Sequence, residues 1–234
     1  MNNETLRLKL KQRLNKLASN DYDNIENWQI IEAFNKAQLE WVRRMLHGNN
    51  LYKEGDELSK RRIDDLQLLL VELPLTGSST DKYFESSNFP VNTYLEYKKV
   101  TTLAKSECCP DARSMTVYLA EEANVELYLR DPLKRPDFEW GETFCTMLGN
   151  KIRIYLRDFT LVKPTLTYYR KPLYIEFAGV LNPYTGLTST ADVTPEFKDD
   201  VVELILDDTA ALIAGDIENF NQMQRTQGSA DRNN

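Results

Sequence analysis

The chain has one histidine, three cysteines and nine glycines in 234 residues, and each shortage removes a class of chemistry. A lone His47 leaves no second imidazole for a proton relay, and no Gly-x-Ser-x-Gly elbow accompanies it. Cys108, Cys109 and Cys145 contain no Cys-x-x-Cys pair, and adjacent cysteines rarely form an unstrained disulfide. With one histidine beside them, a zinc site lacks its ligands. Three unpaired thiols point instead to assembly in a reducing cytoplasm. The few glycines form neither a GxxxxGK[ST] phosphate loop nor a GxGxxG turn. No run approaches the apolar length of a membrane span, and MNNETLRLKLKQRLNKL lacks the apolar core of a signal peptide. These absences predict a soluble chain with no cofactor, no metal, no membrane partner and no catalytic residue.

What is present is charge, tyrosine and periodicity. The net charge is −7, which disfavours general binding to a phosphate backbone. Tyr is the commonest aromatic, with 12 copies. It suits surfaces that are apolar in one place and hydrogen-bonded in another, and it also favours strands. A chain of this length buries enough surface to fold without a disulfide or a metal.

The spacing of apolar residues predicts three helices first. Leu6, Leu10, Leu14 and Leu17 recur at intervals of four and three among Arg7, Lys9, Lys11, Arg13 and Lys16. Asn27 to Leu46 carries Ile30, Ile31, Phe34, Ala37, Trp41, Val42 and Met45 on one face, with Gly48 as a stop and His47 suited to the helix C-terminus. Glu54 to Leu70 follows, ended by Pro74. The middle turns β-rich: Tyr94–Leu103, Met115–Leu119, Phe144–Leu148, Lys151–Leu156 and Thr165–Tyr169 read as strands. Gly149-Asn150 makes a hairpin turn, and 121–130 a short helix. Cys145 then falls in a strand as a structural thiol. A final helix is expected from Thr194-Pro195-Glu196 to about Met223, through Val202, Leu206, Ala210, Ile213, Ile217 and Phe220. The fold class expected is α+β: a helical bundle core with a β-rich insertion and a long C-terminal helix. Its parts are 1–75 as the N-terminal helices, 76–190 as the insertion, 191–224 as the returning helix and 225–234 as a disordered polar tail.

Two charged faces stand out. Asp199, Asp200, Glu203, Asp207 and Asp208 lie on the last helix, with 200, 203 and 207 on one side. A solvated face and an electrostatic surface are both consistent with that pattern. The basic run around Lys9, Lys11 and Lys16 is open to the same two readings, and it also permits head-to-tail pairing with the acidic helix of a neighbouring copy. A carboxylate-dependent hydrolase built on Asp200, Glu203 or Asp207 would need a second acid converging on them.

Taken in order, IENWQIIEAFNKAQLEWVRRML, VELYLRDPLKRPDF, LGNKIRIYL, LTYYRKPLYI and TPEFKDDVVELILDDTAALIAGDIENFNQMQ resemble the head-to-tail connector (ring or adaptor) proteins of crAss-like bacteriophages. The resemblance spans roughly residues 20 to 225. It implies a non-enzymatic virion protein at the head–tail junction, forming a ring of about twelve copies below the portal. The partners it implies are further copies of itself, the portal protein and neighbouring tail ring proteins. Packaged DNA would pass through without sequence-specific binding. Another tail ring or a head-completion protein is the alternative. On this reading Asp199, Asp200, Glu203 and Asp207 are candidates to face the channel. Tyr168, Tyr169, Arg170 and Lys171, with Lys9, Lys11 and Lys16, are candidates for subunit interfaces.

Overall fold

The computed structural model describes residues 1–14, 25–47, 64–107 and 109–216. The chain divides into two compact units: residues 1–68 with 172–234, and residues 69–171.

The first unit contains α1 (Asn3–Leu14), α2 (Asn27–His47) and α4 (Asp199–Asp216). Leu6, Leu10 and Leu14 are buried on α1, and Ile30, Ile31, Phe34, Ala37, Trp41 and Val42 on α2. On α4 the inward face is Val201, Val202, Ile205, Leu206, Ala210, Ile213 and Ala214, and this helix packs on both α1 and α2. Each fully buried Leu, Ile or Val on these faces contributes about 1.5–3 kcal/mol. Residues 172–198 of this unit are irregular chain with isolated bridges, pinned by α2. Asn35 donates from Nδ2 to the Ile175 carbonyl (3.3 Å) and accepts at Oδ1 from the Ile175 N–H (2.8 Å). Gln38 Nε2 donates to the Leu173 carbonyl at 2.9 Å. Two side chains thus satisfy, from a helix, the backbone groups that a neighbouring strand would otherwise satisfy.

The second unit is one curled, mixed sheet of eight strands. They are β1 (Leu70–Pro74), β2 (Gly77–Ser79), β3 (Tyr83–Ser86), β4 (Tyr94–Ser106), β5 (Cys109–Leu119), β6 (Glu142–Leu148), β7 (Lys151–Tyr155) and β8 (Thr160–Arg170). Their order is β1-β8-β4-β5-β6-β7-β3-β2. All pairs are antiparallel except β5 and β6, which run parallel. A parallel pair needs a crossover, here residues 120–141, which include α3 (Val125–Arg130). One apolar cluster fills the curl, with Val100, Met115, Cys145, Ile152, Ile154, Leu166 and Tyr168 among its buried members. A smaller cluster of Ala120, Val125, Phe144 and Tyr155 lies under the crossover. Phe144 and Cys145, adjacent on β6, therefore point to opposite faces and are both buried. Gly149 closes the β6–β7 hairpin at φ 58°.

The expected helical bundle core with a β-rich insertion and a long C-terminal helix is corrected by this architecture. The largest organised element is the eight-stranded sheet, helix and strand contribute about equally, and there is neither a helical bundle core nor a long C-terminal helix among the described residues. Three physical causes account for the difference. First, 64–66 are helical but Gln67–Leu69 tighten to a 3-10 turn and Leu70 begins β1, so the leucine run serves a turn and a strand. Second, Thr194-Pro195-Glu196 does not start a helix. Val193 bridges to Glu176, Glu196 accepts from the Leu173 N–H at 2.8 Å, and Phe197 packs edge-on to Trp41 at 5.3 Å. Those tertiary contacts hold the segment extended, and α4 begins at Asp199. Third, β8 runs through Pro164, which local rules treat as a break. The β4–β8 register shifts between Thr101 and Leu103, and Lys163 adopts φ 56°, a bulge that accommodates the proline. Leu17 and the segments 48–63 and 217–234 of the expected helices and tail lie outside the described residues.

Candidate interaction surfaces

In the first unit the two charged faces meet each other. Lys9 Nζ pairs with Glu203 Oε1, and Arg13 Nη2 lies 2.5 Å from Glu203 Oε2. Arg13 Nε donates to Asp207 Oδ1 at 2.6 Å, and Arg44 pairs with Asp208. Asp199 takes the Met1 ammonium at 2.5 Å, and Lys198 pairs with Asp64 and lies 3.6 Å from Asp65. Burial raises the Glu203 carboxyl, but the Lys9 and Arg13 hydrogen bonds outweigh it and hold its pKa below the usual carboxylate range. At Asp208 burial is the larger influence, and its pKa is pushed up despite Arg44. The basic and acidic helices anticipated to join neighbouring copies are thus engaged within one chain, through Lys9, Arg13, Glu203 and Asp207. Asp200 is exposed, Lys11 is half-buried, and Lys16 lies outside the described residues. Glu203 and Asp207 converge on a guanidinium and not on a second acid. Among the described residues, no group of three or more His, Cys, Asp or Glu side chains is placed to hold a metal ion.

The segment Tyr168 to Lys171 ends β8 in the second unit. Tyr168 is 4% exposed and Tyr169 7%. Tyr168 stacks on Tyr94 at 5.8 Å, and its hydroxyl lies 3.3 Å from Thr93 Oγ1. The Tyr168 ring is therefore engaged in the apolar cluster of its unit, and Tyr169 is buried. Lys171 is exposed, and Arg170 donates to the Lys171 carbonyl at 3.2 Å. His47 is the last residue of α2. Cys145 is fully buried in β6 with the Tyr97 hydroxyl 3.8 Å from Sγ, and burial pushes its pKa up to about 11.

The crossover carries an apolar surface that periodicity alone does not reveal. The six-residue α3 turns Val125 and Tyr128 inward, Tyr128 meeting Phe144 edge-on at 5.5 Å. That phase directs Leu127 and Leu129 outward. Leu127 is 62% exposed, Leu133 69% and Trp140 67%. Tyr118 and Leu119 on neighbouring β5 are also exposed, and the Thr116 N–H donates to the Gly141 carbonyl at 2.7 Å, which ties this strand to the end of the crossover. The available sequence signal was the spacing in VELYLRDPL: two leucines two residues apart cannot both face the core from one short helix.

No family model matches the chain, and no curated protein matches it. No helix among the described residues is long and apolar enough to cross a membrane.

Proposed function

We propose that this chain is a non-enzymatic structural virion protein, one subunit of a ring below the portal that joins a phage capsid to its tail and extends the DNA channel. The observation that supports an assembly role is the exposed apolar surface of the crossover: Leu127, Leu129, Leu133 and Trp140, with Tyr118 and Leu119 beside it. Large apolar side chains left exposed together on one crossover and the strand beside it are the kind of surface that meets another protein. The resemblance to connector proteins supplies the particular assembly. In this reading the crossover meets a neighbouring subunit or a stacked ring component. The channel wall is not assigned to α4, because Glu203 and Asp207 are neutralised by Lys9 and Arg13.

Another ring of the same tail, or a head-completion protein, would share this surface and differ in its partners. A hydrolase reading gains no support from acids that face cations. Native mass measurement and negative-stain imaging of the purified chain, alone and with portal protein, separate these readings. The expected outcome is a closed ring of about twelve copies that binds portal, with Leu133→Asp weakening assembly about tenfold or more. A stable monomer that neither binds portal nor occurs in purified particles overturns the reading.

A further inference from the structure

A second feature of the crossover lies beside its apolar surface. Between β3, the end of β7 and the crossover is a cleft of about 440 Å³, within the size range of ligand-binding clefts. Tyr83, Leu129, Pro136, Tyr155 and Leu156 line it with apolar surface. Lys82, Arg135 and Arg157 supply positive charge. Arg157 is answered by Asp158 at 3.2 Å, and the nearby Arg153 is held by Glu85 at 2.7 Å with Glu122 at 3.9 Å. Arg135 differs: its Nε is buried and meets no acceptor. That Nε is closed to water and so to a ligand, but among the described residues no acid pairs with the guanidinium, and its other N–H groups are the ones a carboxylate in the cleft can meet.

We propose that this cleft binds an acidic segment of a partner polypeptide, with a carboxylate on Arg135 and an adjacent aliphatic side chain on the floor of Tyr83, Leu129 and Tyr155. Charge complementarity selects the carboxylate, and the lining selects its apolar neighbour. Nucleic acid fits less well. The Arg153 guanidinium already covers one face of Tyr83 at 5.0 Å, and Phe144 stacks on Tyr155 at 4.6 Å, so each ring has one face fewer for a base. The apolar lining beyond the two tyrosines is Leu129, Pro136 and Leu156, which offers a base no further stacking surface.

The inference goes beyond the assembly role and is separable from it, because ring formation and peptide binding are read independently. The probe is a fluorescein-labelled, end-blocked peptide of three Asp-Leu repeats, titrated by anisotropy into the full chain. Peptides of Asn-Leu and of Asp-Ser repeats, and a six-residue oligothymidylate, serve as comparisons. The Asp-Leu peptide is expected to bind tightest, with Arg135→Gln weakening it about tenfold or more and Lys99→Gln on β4 leaving it unchanged. Leu129→Gln, at an exposed position, is expected to weaken it as well and serves as the test if Arg135→Gln does not fold. Affinity equal to that of either comparison peptide, no detectable binding, or affinity unchanged in the folded variants overturns the proposal. So does tighter binding of the oligothymidylate.

Discussion

Single side chains in this protein are settled by how much water they keep. Cys145 and Cys109 are both free thiols, yet only Cys145 is fully buried, under the Tyr97 hydroxyl. With its pKa pushed up to about 11, its thiolate fraction at pH 8 is on the order of one in a thousand, before burial further restricts access. Iodoacetamide labelling followed by peptide mapping is expected to leave Cys145 unmodified in the native chain at that pH and to modify it after unfolding in urea. Native labelling of Cys145 as fast as in urea would refute this. The burial of Cys145 follows in the sequence from the apolar run of β6, but its Tyr97 partner does not. That contact depends on the order of strands in the sheet and not on the residues next to it in the chain.

At the scale of elements, the seam between α1 and α4 is the clearest case of charge deciding a packing. Arg13 serves two acids, while Lys9, more exposed, serves one. Replacing Arg13 by Ala is expected to cost about 1–2 kcal/mol in urea unfolding, and Lys9→Ala less than about 1 kcal/mol. The pH dependence follows from Glu203. Its folded pKa is below the usual value, so its stabilisation is complete above the unfolded value and is lost as pH falls through the folded one. Asp208, raised by burial, runs in the opposite direction and partly offsets that loss. The fall in urea midpoint below about pH 4.5 should therefore be shallower in Glu203→Gln than in the parent chain; an identical fall in both would remove Glu203 from the account. The sequence makes much of this level legible. Apolar spacing places α1 and α2, and the charges on α1 and α4 are evidently complementary. It leaves open whether they meet within one chain or between two. Strand lengths are less legible, because Cys109 to Ser114 and Pro164 are poor strand formers: pairing with β4 carries the first into β5, and a bulge carries the second into β8.

At the scale of the whole molecule, the sheet unit is one uninterrupted stretch of chain, residues 69–171, while the helical unit is built from both flanks. A fragment of 69–171 is expected to fold alone, with a strand-rich far-UV spectrum and a single cooperative urea transition. A fragment that stays unfolded would show that the sheet depends on the flanks. The strand order is where sequence reading runs out, since β8 pairs with β1 and β4 over separations that no local pattern encodes. The joining of α1 to α4 also imposes a timetable on biosynthesis. Chain growth delivers α1 first and α4 only after the entire sheet has been made, so Leu6, Leu10 and Leu14 must wait without their partner face while translation proceeds. Early folding of the sheet would shorten the effective distance between the two flanks and lessen the loop entropy of their meeting. Of these two helices, the one that leaves the ribosome earlier must thus wait for the later one to find its place.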